Sequence, residues 1–315
     1  MRVFVTGADG FVGRRLVRAL LAERHDVTAG CRPGGPAPQD WLGADAKLVR
    51  CLPLELADRA PLDLGAGPLD ALVHLAAVSS GSDARNDPLT AWEINVVGTV
   101  RLLEAITVRR RSGGENPRVL LVSSGEVYGP GPSSPRRETD PVEPVAPYGA
   151  TKAAAELAAL ESWRRTGLEV IIARSFPHIG PGQSPRFVVP DFVERLKQAR
   201  REGRRTVPTG NLEPVRDFLD VSDVAAAYLA LLERGAAGQV YNVARGSGIS
   251  VRELFDRLAR LLEVEAVPSP DPALVRNADI PHLVGDPAKL ERATGWRPTI
   301  TLDETLRGIV DAEAD

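Results

Sequence analysis

The chain has 315 residues, 43% apolar and 26% charged, enough to bury one large core or two intimate ones, and no apolar run approaches the length of a membrane span. A formal net charge of −3 argues against a general polyanion-binding surface, so no nucleic-acid partner is expected. The two cysteines, Cys31 and Cys51, lie in apolar strand-like surroundings, which suggests free thiols in a reducing cytoplasm rather than a disulfide framework or a metal site.

In chain order, the pattern predicts a first strand at 2–6, which leaves no room for a signal peptide, and then a helix over 11–23. Between them, "VTGADGFVGRRL" sets Gly7, Gly10 and Gly13 in a GxxGxxG turn. Glycine permits close backbone approach, and a helix N-terminus offers unpaired N–H groups with a positive dipole end. A pyrophosphate would lie against Gly7, Gly10, Phe11, Val12 and Gly13; the same turn could also serve only to pack a helix on a strand.

Further strands are predicted at 27–31, 47–51, 71–75, 119–123 and 169–173. Helices are predicted at 89–108, 148–165, 187–200, 221–233, 251–262 and 302–312, and the run Arg109-Arg110-Arg111 reads as the solvated end of one of them. Short apolar runs alternating with longer amphipathic stretches indicate an α/β fold, a Rossmann-type doubly wound parallel sheet with a smaller, mixed C-terminal substrate-binding lobe. The expected divisions are 1–174 for the dinucleotide unit, with a returning segment at about 212–246, and 175–211 with 247–315 for the lobe. The Pro- and Gly-rich segments 129–147 and 177–185 follow strands, where such sheets carry ligand-contacting loops.

The helix at 148–165 begins "PYGATKAAAELAAL", with Tyr148 and Lys152 leading an Ala-rich run in a chain that has only 4 tyrosines. Residues four apart share a helix face, so both side chains can enter one cleft. An ammonium beside a phenol favours the phenolate, so the Tyr148 pKa is expected below its ordinary value of about 10. Ser124, at the end of its strand, would hydrogen-bond the same reacting oxygen, although a strand-end serine can equally serve the backbone.

The glycine turn, "LLVSSGEVYG" and "YGATK" together resemble the extended short-chain dehydrogenase/reductase family, the NAD-dependent epimerase/dehydratases, over nearly the whole chain. The resemblance implies an enzyme acting on nucleotide-activated sugars, with Ser124, Tyr148 and Lys152 as its catalytic set and Lys152 also on the nicotinamide ribose. It implies Glu55 and Leu56 at the adenine, and Leu75, Ala76 and Ala77 along the cofactor; His74, within its strand, reads as a packed residue rather than a catalytic group. It further implies a homodimer through the helices at 89–108 and 148–165. Relatives that prefer NAD carry an acid after the second strand, where this chain has Cys31 and Arg32; NADP(H) is therefore favoured, with NAD(H) the alternative if Arg32 stacks on adenine.

In the second half, "HIGPGQSPRFVVPDF", "GNLEPVRDFLDVSDV" and "LVGDPAKLERATGW" resemble reductases of GDP-4-keto-6-deoxy-D-mannose, with GDP-mannose 4,6-dehydratases as close relatives. By that resemblance Arg216 grips the substrate pyrophosphate and Arg186 lies in the loop leading to the nucleotide. Pro177 replaces an asparagine that contacts substrate in relatives. Glu126 stands where dehydratases keep the base for the C5 proton, which keeps a redox-neutral dehydratase or epimerase open. A dehydratase-type segment is represented only by "VRNADIPHLVGD", which favours the reductase. The reading of another class is an NAD(P)-sensing regulatory protein, and the intact Ser/Tyr/Lys set speaks against it, since sensing needs no proton relay.

Overall fold

The computed structural model describes residues 1–58, 60–113, 115–274 and 280–312, so residues 275–279 of the dehydratase-type segment lie outside the described residues. At its centre is a seven-stranded sheet in the order Val240–Val243, Val170–Ser175, Arg118–Ser124, Ala71–His74, Arg2–Thr6, Asp26–Cys31, Val49–Pro53. Every pairing in it is parallel. Helices cover both faces, which is why strands such as Val170–Ser175 are buried at every residue. Phe11–Ala22 and Val221–Arg234 pack Leu16, Val17, Leu20 and Leu231 on one face. Gly98–Gly113 and Pro147–Thr166 pack Leu102, Ile106, Ala155 and Ala159 on the other.

The strand order reverses between Arg2–Thr6 and Ala71–His74, and a crevice opens at the carboxyl ends of strands at such a reversal. A smaller core lies among the helices Val188–Glu202, Val251–Leu261 and Leu302–Ala312, where Phe192 and Phe255 meet edge to face with ring centroids 5.3 Å apart. Asp217 ties this region to the sheet. It is fully buried, and its carboxylate accepts the backbone N–H groups of Arg245, Gly246 and Gly285 at 3.0, 2.9 and 3.2 Å.

Two sequence expectations are corrected in detail, and one strand was not expected. The strand predicted at 47–51 runs Val49–Pro53, because Gly43–Leu48 coils into a 3-10 turn. The helix predicted at 89–108 is Pro88–Trp92, then a π-helical turn Glu93–Val97, then Gly98–Gly113. The seventh strand, Val240–Val243, is only 4 residues long and runs straight into a loop, too short a run to carry a periodicity. Asp217→Ala would leave three N–H groups, one buried and two partly buried, without their acceptor, and we expect a loss of about 2–4 kcal/mol in stability, read from urea unfolding midpoints.

Candidate active site

The glycine turn is built for close approach. Gly7 has φ +65°, and a Cβ there would lie 2.9 Å from the Ala76 amide nitrogen, while one on Gly13 would lie 2.2 Å from the Gly7 carbonyl oxygen. Gly10 caps the helix Phe11–Ala22 with no side-chain hydrogen bond, so the first-turn N–H groups at Phe11 and Val12 are not claimed by a capping side chain. Thr6 Oγ1 accepts the Leu75 and Ala76 N–H groups, each at 3.1 Å, and so fixes the Leu75–Ala77 strand end against the turn. Arg32 and Glu55 are exposed just beyond the second and third strands, at the same sheet edge, with Leu56 buried beside Gly98. This cradle fits a dinucleotide pyrophosphate.

Sequence reasoning found no acid at the end of the second strand, but one comes from the turn itself. Asp9 Oδ2 lies 2.7 Å from where a Gly35 Cβ would sit. Burial pushes the Cys31 thiol up to about 12, and the Asp9 charge pushes it the same way.

Ser124 closes the strand Arg118–Ser124 and caps the 3-10 turn Gly125–Tyr128, its Oγ accepting the Glu126 N–H at 3.2 Å. Pro147 opens the next helix, where its missing N–H costs nothing, and sets Tyr148 and Lys152 on the first two turns. A Cβ on Gly149 would lie 2.7 Å from the Glu126 carbonyl oxygen, so the helix presses directly on the turn that carries Ser124 and Glu126. Ser124 stands near enough to the Tyr148 hydroxyl to pull its pKa down. Lys152 is 6% exposed, with Nζ 6.0 Å from the Tyr148 ring centroid and donating to the Val122 carbonyl at 2.9 Å.

The expected depression of the Tyr148 pKa is corrected. Burial first, and then the Glu126 carboxylate, push the phenol up against the downward pull of the Ser124 hydrogen bond. The reason is that desolvation opposes every charged form, and Tyr148 and Lys152 feel it in opposite directions. Burial lowers Lys152 to about 8, with Glu156 opposing the fall.

His74 is a packed strand residue, as the sequence suggests. Its Nδ1 lies 2.8 Å from Thr6 Oγ1 and its Nε2 3.0 Å from Thr99 Oγ1, and burial, then the Lys152 charge, hold it down to about 3. Thr6 already accepts two N–H groups, so its proton goes to Nδ1 and the neutral ring donates from Nε2.

Asn95, in the π-helical turn, was not singled out from the sequence. Its Oδ1 accepts the Val78 N–H at 2.7 Å, and its Nδ2 donates to the Val78 carbonyl at 3.1 Å and to Thr151 Oγ1 at 2.9 Å. Thr151 in turn donates to the Tyr148 carbonyl at 2.8 Å, so Asn95 ties the cofactor-side loop to the first turn of the Tyr148 helix. A lone asparagine in the apolar stretch "INVVGT" was the available signal.

Arg216 is half-buried, its Nη1 donating to the Val215 and Ile280 carbonyls at 2.9 and 2.7 Å. Arg186 is exposed and pairs with Asp83 at 3.0 Å, which ties the 181–187 loop to the helix Gly81–Asn86. His178, next to Pro177, stacks on Phe11, with centroids 6.3 Å apart and planes at 6°.

Residues 3–244 match the NAD dependent epimerase/dehydratase family. The GDP-6-deoxy-D-mannose reductase of Pseudomonas aeruginosa is 39% identical over 314 residues, covering 98% of this chain and 96% of that protein. The solved structure of RMD from Pseudomonas aeruginosa complexed with NADPH superposes with a TM-score of 0.82 at 34% identity, covering 99% of this chain and 98% of that one. The dTDP-glucose 4,6-dehydratase DesIV of Streptomyces venezuelae, solved with NAD bound, gives a TM-score of 0.84 at 29% identity, covering 100% of this chain and 97% of that one. The glycine cradle, the Ser124/Tyr148/Lys152 grouping and a match over most of the chain agree: this chain belongs to the NAD dependent epimerase/dehydratase family of enzymes.

Proposed function

We propose that this enzyme is a nucleotide-sugar oxidoreductase that reduces the C4 ketone of GDP-4-keto-6-deoxy-D-mannose to GDP-D-rhamnose or its C4 epimer, with NADPH favoured as the reductant. The observation that carries this reading is the Tyr148 phenol, half-buried on the helix turn that also carries Lys152 and pressed against the turn of Ser124 and Glu126. A neutral phenol is a proton donor, which is what a new alkoxide requires. The 39% identity to a GDP-6-deoxy-D-mannose reductase supports the substrate class.

In this reading Gly7, Gly10, Phe11, Val12 and Gly13 hold the pyrophosphate, Glu55, Leu56 and Arg32 meet the adenosine end, and Leu75, Ala76 and Ala77 line the rest of the cofactor. When bound, the cofactor supplies a hydride to the sugar carbon. Ser124 and Tyr148 hold the ketone oxygen by hydrogen bonds, and Tyr148 gives that oxygen its proton. The Lys152 ammonium stabilises the phenolate left behind and binds the ribose, until solvent returns the proton. Arg216, whose Nη1 donates to two carbonyls, would meet the substrate pyrophosphate. The ion pair of Arg186 with Asp83 gives less support to a phosphate-binding role for Arg186.

Residues 175–211 and 247–315 form the nucleotide-sugar lobe in this reading, and 1–174 with 212–246 the cofactor domain. Exposed apolar side chains on the two neighbouring helical segments, Leu89 at 82% and Leu157 at 68%, with Trp92 and Val100, support a homodimer through those helices. The free Cys31 and Cys51 accord with a cytoplasmic enzyme.

Two observations favour a second reading on particular points. Glu126 beside Tyr148 suits a redox-neutral dehydratase or epimerase, and Asp9 near the end of the second strand suits NAD(H). The deciding experiment incubates the purified protein with a panel of nucleotide 4-keto-6-deoxy sugars, with and without NADPH. The reductase reading expects conversion only with added reductant, and repeated turnover with no added nicotinamide would overturn it.

Tyr148→Phe should lower turnover about a hundred- to ten-thousand-fold with little change in sugar affinity, and a parent-like rate in steady-state assays would contradict the proton-donor role. Glu126→Gln should leave much of a reductase's activity intact, but nearly abolish that of a dehydratase. Arg32→Ala should weaken NADPH about ten- to a hundred-fold while sparing NADH, measured by fluorescence titration; equal losses would mean that Arg32 merely packs.

A further inference from the structure

Glu156 lies one turn past Lys152 on the same helix and is 4% exposed. Its carboxylate is fully engaged. Ser123 Oγ donates to Oε1, Arg174 Nε donates to Oε1 and Oε2 at 3.0 and 3.2 Å, and Arg174 Nη2 donates to Oε2 at 2.7 Å. Ser123 and Arg174 are register partners on adjacent strands, so the clamp closes across the sheet just short of the end that carries Ser124. The Arg174 guanidinium is 5% exposed and lies 4.8 Å over the Tyr128 ring, whose hydroxyl donates to Asn242 Oδ1 at 2.7 Å.

A buried ion pair is weak support for stability, since apolar packing of the same volume often does as well. Its value here is its neighbour. The buried Lys152 ammonium is surrounded by Tyr148 and Glu156 on its own helix, by neutral His74 on the strand Ala71–His74, and by the Val122 carbonyl on the strand Arg118–Ser124. Arg174 comes from the strand Val170–Ser175 and Glu126, beside Tyr148, from the 3-10 turn. The helical segments 81–86 and 93–113, also packed on this helix, keep Asp83, Glu93 and Glu104 exposed or partly exposed, with Arg85 half-buried. Glu156 shares a helix face with Lys152 one turn away, and Ser123, which donates to Glu156, adjoins Val122, whose carbonyl accepts from Lys152, so its carboxylate is placed to favour the charged lysine.

We propose that Glu156 is a positioning residue: clamped by Ser123 and Arg174, its carboxylate holds Lys152 in the ammonium form at the catalytic face, and Arg174 moderates how much of that negative charge Lys152 feels. The inference rests on the reading of Lys152 as the ribose-binding, tyrosine-supporting group.

The test is NADPH affinity against pH, by fluorescence titration, for the parent, Lys152→Met, Glu156→Gln and Arg174→Met. A charged Lys152 binds the ribose fully at low pH, so affinity should fall as pH rises through about 8, the folded-state value. Lys152→Met should flatten this fall; if the fall persists unchanged, the role given to Lys152 is wrong and not merely the role of Glu156. Glu156→Gln should move the midpoint down by at least half a pH unit, and Arg174→Met should move it up. A purely structural pair would shift both variants alike or neither, and either result overturns the proposal. Should Glu156→Gln fail to fold because Arg174 is stranded, the double variant Glu156→Gln/Arg174→Gln removes both charges; its midpoint should still fall, and an unmoved midpoint there also overturns the proposal.

Discussion

The burial of the Lys152 ammonium is the constraint on which the rest of the site depends. Moving an ammonium out of water costs several kcal/mol even after relaxation, so a lysine 6% exposed persists only if its surroundings return that energy through acceptors and counter-charge. The acceptor is the Val122 carbonyl and the counter-charge is Glu156. The helix that follows the strand Arg118–Ser124 packs back across the sheet, which brings Lys152 to the Val122 carbonyl and sets Glu156 one turn further along. The alanines of that helix bring its backbone close. At Gly149 even a methyl group would strike the Glu126 carbonyl.

From this burial follows the chemistry. Desolvation disfavours the charged form of every group, raising the phenol of Tyr148 while lowering the ammonium of Lys152 and the imidazole of His74. At neutral pH the site therefore holds a protonated phenol, a lysine still largely charged beside it, and a histidine that carries no charge. Such an arrangement is poised to give a proton. A new alkoxide formed by reduction of a ketone calls for a proton donor of this kind. Glu126 adds to the same polarity through its effect on Tyr148, although its carboxylate could also serve as a base.

The parts of this arrangement that were legible in the sequence are those written in short-range spacing. Three glycines three apart mark a turn that needs glycine at Gly7 and Gly13, and Tyr148 and Lys152 four apart must share a helix face. The alternation of apolar runs and amphipathic stretches was enough to expect a parallel sheet with helices on both sides. What was not legible depends on residues that meet only after folding. Asn95 and Thr151 are 56 positions apart, and Glu156 reaches Ser123 across 33 positions. The direction of the Tyr148 shift was misjudged for the same reason: the lysine is visible four residues away, whereas burial and the Glu126 charge are tertiary facts. Asp9 was hidden because it sits inside the glycine turn, away from the strand end where an acid at the ribose is sought.

The central claim is net delivery of hydride to the sugar ketone, with the proton supplied by the protein. The most direct measurement uses reduced nicotinamide cofactor carrying deuterium at the transferable C4 position, a GDP-4-keto-6-deoxyhexose as substrate, and NMR of the purified product. The account predicts one deuterium at C4 of the product sugar for every cofactor oxidised. A converted sugar without deuterium at C4 would contradict it.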